Sequence, residues 1–170
     1  MKILFLGAPG TGKSTQGKLL AEDKGWKWLS SGQMLRDSEE PWIKEKLKTG
    51  ELFDDGFIID MMIKALNENG DVILDGFPRT LKQAEALMEA NIKLDMIAEI
   101  VVPEDEIVKR VLLRGRDEDT EEIIKMRIRN YMETRDEIVN YLVKQGIELK
   151  EIDGTGEIEA IFEKVKEVIR

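Results

Sequence analysis

A chain of 170 residues that is 42% hydrophobic and 36% charged can bury one full core, is too apolar for disorder, and contains no run long enough to be a membrane span. Acidic residues outnumber basic ones 35 to 26, a formal net charge of −9, which argues against a broad basic surface for nucleic acid but allows a positive cleft around a small anion. Cysteine and histidine are both absent, so disulfides, thiolate or imidazole zinc sites and a histidine general base are excluded. With a strand signal directly after Met1 and no signal-peptide pattern, a cytoplasmic protein with no membrane partner is expected.

In chain order, Lys2 to Leu6 reads as a short strand buried on both faces. Gly7-Ala8-Pro9-Gly10-Thr11-Gly12-Lys13-Ser14-Thr15 follows and fits G-x-x-x-x-G-K-[ST]. Glycines at these places let successive N–H groups point into one concavity, and the helix expected over 16–22 adds its positive end. In such a loop, Gly10, Thr11, Gly12 and Thr15 cradle phosphates. Lys13 reaches the β and γ phosphates, and the Ser14 hydroxyl faces Mg²⁺. A second short strand is expected over 26–29. Residues 30–54 then break the rhythm of alternating strands and helices and read as a small helical insertion, with a Pro41-Trp42 helix start and a stop at Gly50. A helix over 55–66 with a glycine stop at Gly70, a strand over 71–75 and a helix over 80–90 follow. Beyond these come a strand over 96–102 and a helix from Pro103 to about 114. After a brief turn, Asp119 with Glu122 suggests a capping box for a long helix to about 145, and a last strand (147–152) and helix (157–169) close the chain. Strands alternating with helices predict a three-layer α/β/α domain around a parallel sheet.

Two features carry chemistry beyond the loop. Asp75 ends an apolar strand, where ligands gather in open α/β sheets, and in a phosphate-loop protein an acid there holds Mg²⁺ directly or through water. It opens the stretch Asp75-Gly76-Phe77-Pro78-Arg79-Thr80, which sets an arginine rigidly beside that acid. The second feature is the number of arginines: Arg36, Arg79, Arg110, Arg114, Arg116 and Arg127, with Arg129 and Arg135 beyond. A protein that only hydrolyses ATP needs about one such group. Guanidiniums stay charged and grip phosphate oxygens two at a time, so several of them imply a second phosphorylated substrate. Asp117, Glu118 and Asp119 either orient these guanidiniums or act as helix N-terminal acids. The three tryptophans and Met61-Met62 read as packing.

Gly7 to Thr15, Ser31-Gly32-Gln33-Met34-Leu35-Arg36, Asp75 to Thr80 with Gln83, and Arg110 to Arg127 together resemble the nucleoside monophosphate kinases, adenylate kinases in particular, in matching order along essentially the whole chain. The resemblance implies a P-loop fold with a five-stranded parallel sheet, a helical monophosphate-binding insertion over 30–54, and reversible Mg²⁺-dependent transfer of the ATP γ-phosphoryl to AMP, giving two ADP. It implies that Arg36 and Arg79 grip the acceptor phosphate and that Arg116 and Arg127 span donor and acceptor. On the donor side, Arg110, Arg114 and the Gly156 backbone cover ATP. Around the acceptor, Ser31, Leu52, Phe53, Asp54, Gln83 and the stretch Gly76-Phe77-Pro78 line AMP. Lys13, Arg79, Arg116 and Arg127 are thereby the catalytic set, Ser14 and Asp75 face Mg²⁺, and no zinc is implied. Family resemblance also implies a monomer.

This sequence departs from the family in four places: Gln33 stands where aspartate is usual, Gly156 removes a side chain that often lies near the ATP base, the insertion is shorter than usual, and one glycine separates Arg114 from Arg116 where the family has a lid. An oligomer covering the ATP site is the alternative that the short lid raises. Ser31 resembles the adenylate kinases, where UMP/CMP kinases tend to have alanine, and Gln83 offers a donor and an acceptor that match adenine's N1 and exocyclic amine. AMP is therefore the expected acceptor; the short lid resembles the UMP/CMP kinases, and a UMP/CMP or broad-specificity monophosphate kinase is the alternative. Two other readings stand further off: a nucleotide switch without transferase activity, and a kinase for a non-nucleotide small molecule. With so short a connection between Arg114 and Arg116, water is expected to compete for the phosphoryl group. Phosphate release from ATP alone should therefore exceed background, as a phosphate-sensor assay without acceptor would read.

Overall fold

The computed structural model describes residues 1–49, 53–113 and 120–170. Five parallel strands, β1 (Lys2–Leu6), β2 (Lys27–Ser30), β3 (Val72–Asp75), β4 (Met96–Val101) and β5 (Glu148–Asp153), lie in the order β2-β3-β1-β4-β5. The helices are α1 (Lys13–Lys24), α2 (Ser31–Asp37), α3 (Pro41–Thr49), α4 (Asp55–Glu68), α5 (Leu81–Glu89), α6 (Glu104–Leu113), α7 (Glu121–Lys144) and α8 (Ile158–Val168). The layered α/β/α arrangement expected from alternating elements is therefore what the chain adopts.

Alternation along each strand sorts the core onto two faces. Ile3, Phe5, Ile73, Ala98 and Ile100 pack with Leu20 of α1, Ile107 of α6 and Val165 of α8. Leu4, Leu6, Leu74 and Ile97 point the other way, onto Met62 and Leu66 of α4, Leu87 of α5 and Leu142 of α7. α1 approaches the sheet closely because Gly17 has no side chain; a methyl there would lie 3.3 Å from Ile73 and 3.4 Å from Phe5. The 24-residue α7 buries Ile124 and Ile128 on the first face and Ile138 and Leu142 on the second. One helix thus spans both sides of the sheet.

Two helix ends differ from the expected ones. α4 runs to Glu68, and no left-handed glycine closes it. Instead the Lys2 ammonium donates to the carbonyls of Leu66 (3.2 Å), Asn69 and Gly70 (both 2.8 Å), and Asn69 donates to Ala65. A cation suits the negative end of a helix and satisfies its orphan carbonyls. The cap of α7 is Thr120, whose hydroxyl accepts from the Ile123 N–H, rather than Asp119. Asp119 lies outside the described residues, as do Gly50, Glu51, Leu52 and the whole turn from Arg114 to Glu118.

Packing of the tryptophans divides as anticipated between core and insertion. Trp26 and Trp28 lie against the first face, with the Lys18 ammonium 4.4 Å from the Trp28 ring centroid. Trp42 makes an edge contact with Phe57 at 4.8 Å and a tilted one with Phe53, which ties α3 to the start of α4. Leu74, fully buried mid-sheet, tests the core: Leu74→Ala should cost about 2–5 kcal/mol, seen as a lower urea midpoint with an unchanged denaturant slope.

Candidate active site

Strand order places the chemistry. β1 is central, and its neighbours β3 and β4 carry Asp75 opposite Phe5 and Glu99 opposite Leu6. All three strands end on the same side, where the loop from Gly7 to Gly12 leaves β1. Gly10 (φ +96°) and Gly12 (φ +86°) occupy the left-handed region, where L side chains are strained. A Cβ on Gly10 would fall 2.5 Å from Val111 and 2.9 Å from Ile107, so α6 presses directly on the loop. Gly12 faces open space at the start of α1. Thr11 is buried and folds the loop onto itself, its N–H and hydroxyl both donating to the Ala8 carbonyl at 3.2 and 2.9 Å. The result is a cradle ending at a helix N-terminus, a ready anion site.

Lys13 Nζ lies 3.3 Å from Asp75 Oδ1. Asp75 is only 2% exposed, so its charge requires such a partner. The contact also joins two clefts, since Lys13 follows Gly12 in one and Asp75 precedes Gly76 in the other. The smaller cleft, about 230 Å³, is lined by Gly10, Thr15, Gln16, Arg110, Gly156 and Ile158. Arg110 is held there by Glu106 at 3.0 Å. The loop and Gly156, remote in sequence, therefore share one wall. Gln16 was not singled out in the sequence. It is buried and donates through Nε2 to the Ile158 carbonyl at 2.9 Å, while its Oε1 has no partner among the described residues. No spacing rule flags such a residue, because α8 reaches it only in the folded chain.

The larger cleft, about 750 Å³, lies between the helical insertion and β3, among Ser31, Arg36, Phe53, Gly76, Arg79 and Gln83. Its wall is a chain of hydrogen bonds. Ser31 Oγ and Arg79 Nε both donate to the Gly76 carbonyl at 2.7 Å, and Arg79 N–H donates to Gln83 Oε1 at 2.7 Å. A methyl on Gly32 would lie 3.4 Å from Arg36 Nη1 and 3.9 Å from Arg79 Nη2, so both guanidiniums border one small space. Arg36 is steadied by Gln33 Oε1 at 2.9 Å, and Gln33 in turn donates to Asp37 at 2.7 Å. Here the departure at Gln33 has a local use, because a glutamine can accept from the arginine and donate to the aspartate at once. Asp54 lines the cleft but also caps α4, its Oδ1 accepting from Gly56 and Phe57 N–H at 2.8 and 3.3 Å. Phe77 is fully buried, and the Phe77–Pro78 peptide is cis.

Arg127 projects from the exposed side of α7, one turn before Tyr131. Ile128 and Tyr131 line a groove with Ala8 and Thr11, so this turn of α7 lies against the loop. Leu52, Arg114 and Arg116 are outside the described residues. Arg135 borders neither of the two clefts. It binds Glu99 through Nε at 3.0 and 3.1 Å and through Nη2, and it also reaches Asp136 at 2.9 Å. Glu99 is buried on β4 beside the loop, and Tyr131 donates to it at 2.9 Å. Burial first, then the Glu99 charge and hydrogen bond, push the Tyr131 phenol well above the usual tyrosine range, and the Glu99 hydrogen bond and charge raise Arg135 likewise. This network behind the loop was not read from the sequence, where Glu99 is one acid inside an apolar strand.

Among the described residues, no helix is long and apolar enough to cross a membrane, and no three metal-ligating His, Cys, Asp or Glu side chains come together. Compared with known proteins, residues 5–147 match the family model described as adenylate kinase. Relatives named adenylate kinase include one from Thermus thermophilus, 36% identical over 96% of this chain and 94% of its own length. One from Archaeoglobus fulgidus is 33% identical over 99% and 98%, and one from Prochlorococcus marinus 35% over 97% and 96%.

Tyr131 gives the site a pH signature. Its folded-state pKa is raised, so its contribution is complete below the unfolded value near 10 and is lost as pH rises towards the folded one. The stability advantage of the wild type over Tyr131→Phe should hold to about pH 10. Above that it should shrink by up to about 1.4 kcal/mol per pH unit, as urea titrations at pH 8, 10 and 11 would measure.

Proposed function

Because the chain belongs to the adenylate kinase family, and is therefore a nucleoside monophosphate kinase, we propose that it transfers the γ-phosphoryl of ATP to AMP with Mg²⁺, giving two ADP. The observation that carries this reading is the pairing of Arg36 and Arg79 around one space in the larger cleft, across the Lys13–Asp75 contact from the glycine cradle. A nucleotide switch would need only the cradle. Two guanidiniums held by Gln33 and the Gly76 carbonyl, beside a partly apolar cleft with room for a whole nucleotide, match a second phosphorylated substrate.

In this reading the loop N–H groups and Lys13 hold the donor tail, with its base in the cleft at Gly156 and Gln16. Arg36 and Arg79 hold the acceptor phosphate, and Ser31, Phe53 and Gln83 line its base. Arg116 and Arg127 span donor and acceptor and stabilise charge as the phosphoryl group passes, while Arg110 and Arg114 cover the ATP side. In-line positioning and charge neutralisation are enough for this reaction, so the absence of histidine is no obstacle. Asp75 and the Ser14 hydroxyl offer oxygen donors only and leave most of a coordination sphere to phosphate and water, a donor set suited to Mg²⁺. When bound, the ion would neutralise the β and γ oxygens.

Arg79→Ala and Arg127→Ala should each lower turnover about 10³-fold while circular dichroism and the unfolding midpoint stay close to wild type. A coupled assay for ADP measures this, and near-normal rates would remove those residues from the site. A dinucleoside pentaphosphate carrying two adenosines should inhibit far more tightly than ATP or AMP alone.

A further inference from the structure

Asp55 is the first residue of α4, but its side chain turns away from its own helix. Oδ1 accepts from Gln83 Nε2 at 2.6 Å and Oδ2 from the Thr80 hydroxyl at 3.4 Å. The far end of the same amide, Gln83 Oε1, accepts from the Arg79 N–H at 2.7 Å. A carboxylate can only accept and a peptide N–H can only donate. The polarity of the Gln83 amide is therefore set by its neighbours: nitrogen towards Asp55, oxygen towards Arg79. A primary amide has two hydrogens and two lone pairs, so one of each remains. Gln83 is buried in the wall of the larger cleft, and the remaining pair is what a ligand base there can meet.

We propose that Asp55 is a positioning residue that fixes the polarity of Gln83, so that the cleft selects monophosphates whose base carries an amino group beside an unprotonated ring nitrogen. Adenine presents such an edge at N6 and N1, and cytosine at N4 and N3. Hypoxanthine, guanine and uracil present the reverse, an oxo group beside an N–H. Against the fixed amide, their oxygen meets Oε1 and their N–H meets Nε2–H. Turning Gln83 over would match the base, but it would set the amide oxygen against the Asp55 carboxylate and the amide nitrogen against the Arg79 N–H. The loss of one charge-assisted and one neutral hydrogen bond in a buried setting corresponds to a discrimination of about 100-fold. This inference rests on the reading of the larger cleft as the acceptor site. Nothing in the local sequence distinguishes Asp55 from its neighbour Asp54, which caps the helix.

The test is calorimetric titration of the full chain with AMP and with inosine monophosphate, in the absence of ATP, for the wild type, Asp55→Ala and Asp55→Asn. AMP should bind the wild type about 100-fold more tightly than inosine monophosphate. Asp55→Ala should narrow that ratio about tenfold, and Asp55→Asn, whose amide oxygen still accepts from Nε2, should recover most of it. A role confined to starting α4 would weaken both ligands alike and leave the ratio unmoved. Equal wild-type affinity for the two ligands, binding of neither, or an unchanged ratio in Asp55→Ala overturns the inference. Titration needs no phosphoryl transfer, so the two readings fail separately. AMP preference without ADP formation would sink the transferase reading alone, and transfer with equal binding of AMP and inosine monophosphate would sink this one alone.

Discussion

A buried carboxylate and a lysine 3.3 Å apart hold the centre of this molecule. Asp75 sits at the end of a strand with almost no access to water, where an unpaired charge would be costly. Lys13 supplies the partner from the first turn of α1, and its own side chain stays about a quarter exposed, so the ammonium is still available to an anion. The pairing depends on β1 and β3 being neighbours. That adjacency brings the glycine loop and the Asp75–Thr80 stretch to one rim, and every later feature of the site is hung from that rim.

On one side of this contact, polar side chains are immobilised by each other. Ser31, Arg79, Gln83 and Asp55 form a continuous run of hydrogen bonds through the Gly76 carbonyl and the Arg79 backbone. Long side chains lose entropy when ordered, so prior fixing lowers what a ligand must order on binding. On the other side, Glu99, Arg135 and Tyr131 join β4 to α7 behind the loop. The same helix carries Arg127 one turn earlier. One buried acid thus ties the helix that carries Arg127 to the strand beside the glycine loop.

Much of the site was legible because its chemistry is local. The loop needs Gly10 and Gly12 at backbone positions that other residues resist, and Lys13 and Ser14 must follow at set places on a helix start. The run Asp75-Gly76-Phe77-Pro78-Arg79 likewise carries its meaning within six residues. What the sequence left unread lies across long separations. Gln16 meets Ile158, Asp55 meets Gln83, and Glu99 meets Arg135. Each is an ordinary polar residue in its own segment, and only packing gives it a partner. The misread end of α4 has the same cause: it is closed by Lys2, more than sixty residues away in the chain, which no local glycine rule anticipates.

The sequence by itself determined the alternation of strands and helices, the phosphate cradle, the acid at the end of β3, and the surplus of arginines that implies a second phosphorylated ligand. Those follow from hydrophobic period, left-handed glycines and charge, properties a short stretch carries alone. The tertiary structure decided that Arg36 and Arg79 border the larger cleft, whereas Arg135 is consumed by a buried acid. It also decided which end of the Gln83 amide is turned to Asp55 and which to the Arg79 backbone. A side chain's free donors and acceptors are what remain after its neighbours have taken theirs, and only the folded chain supplies the neighbours.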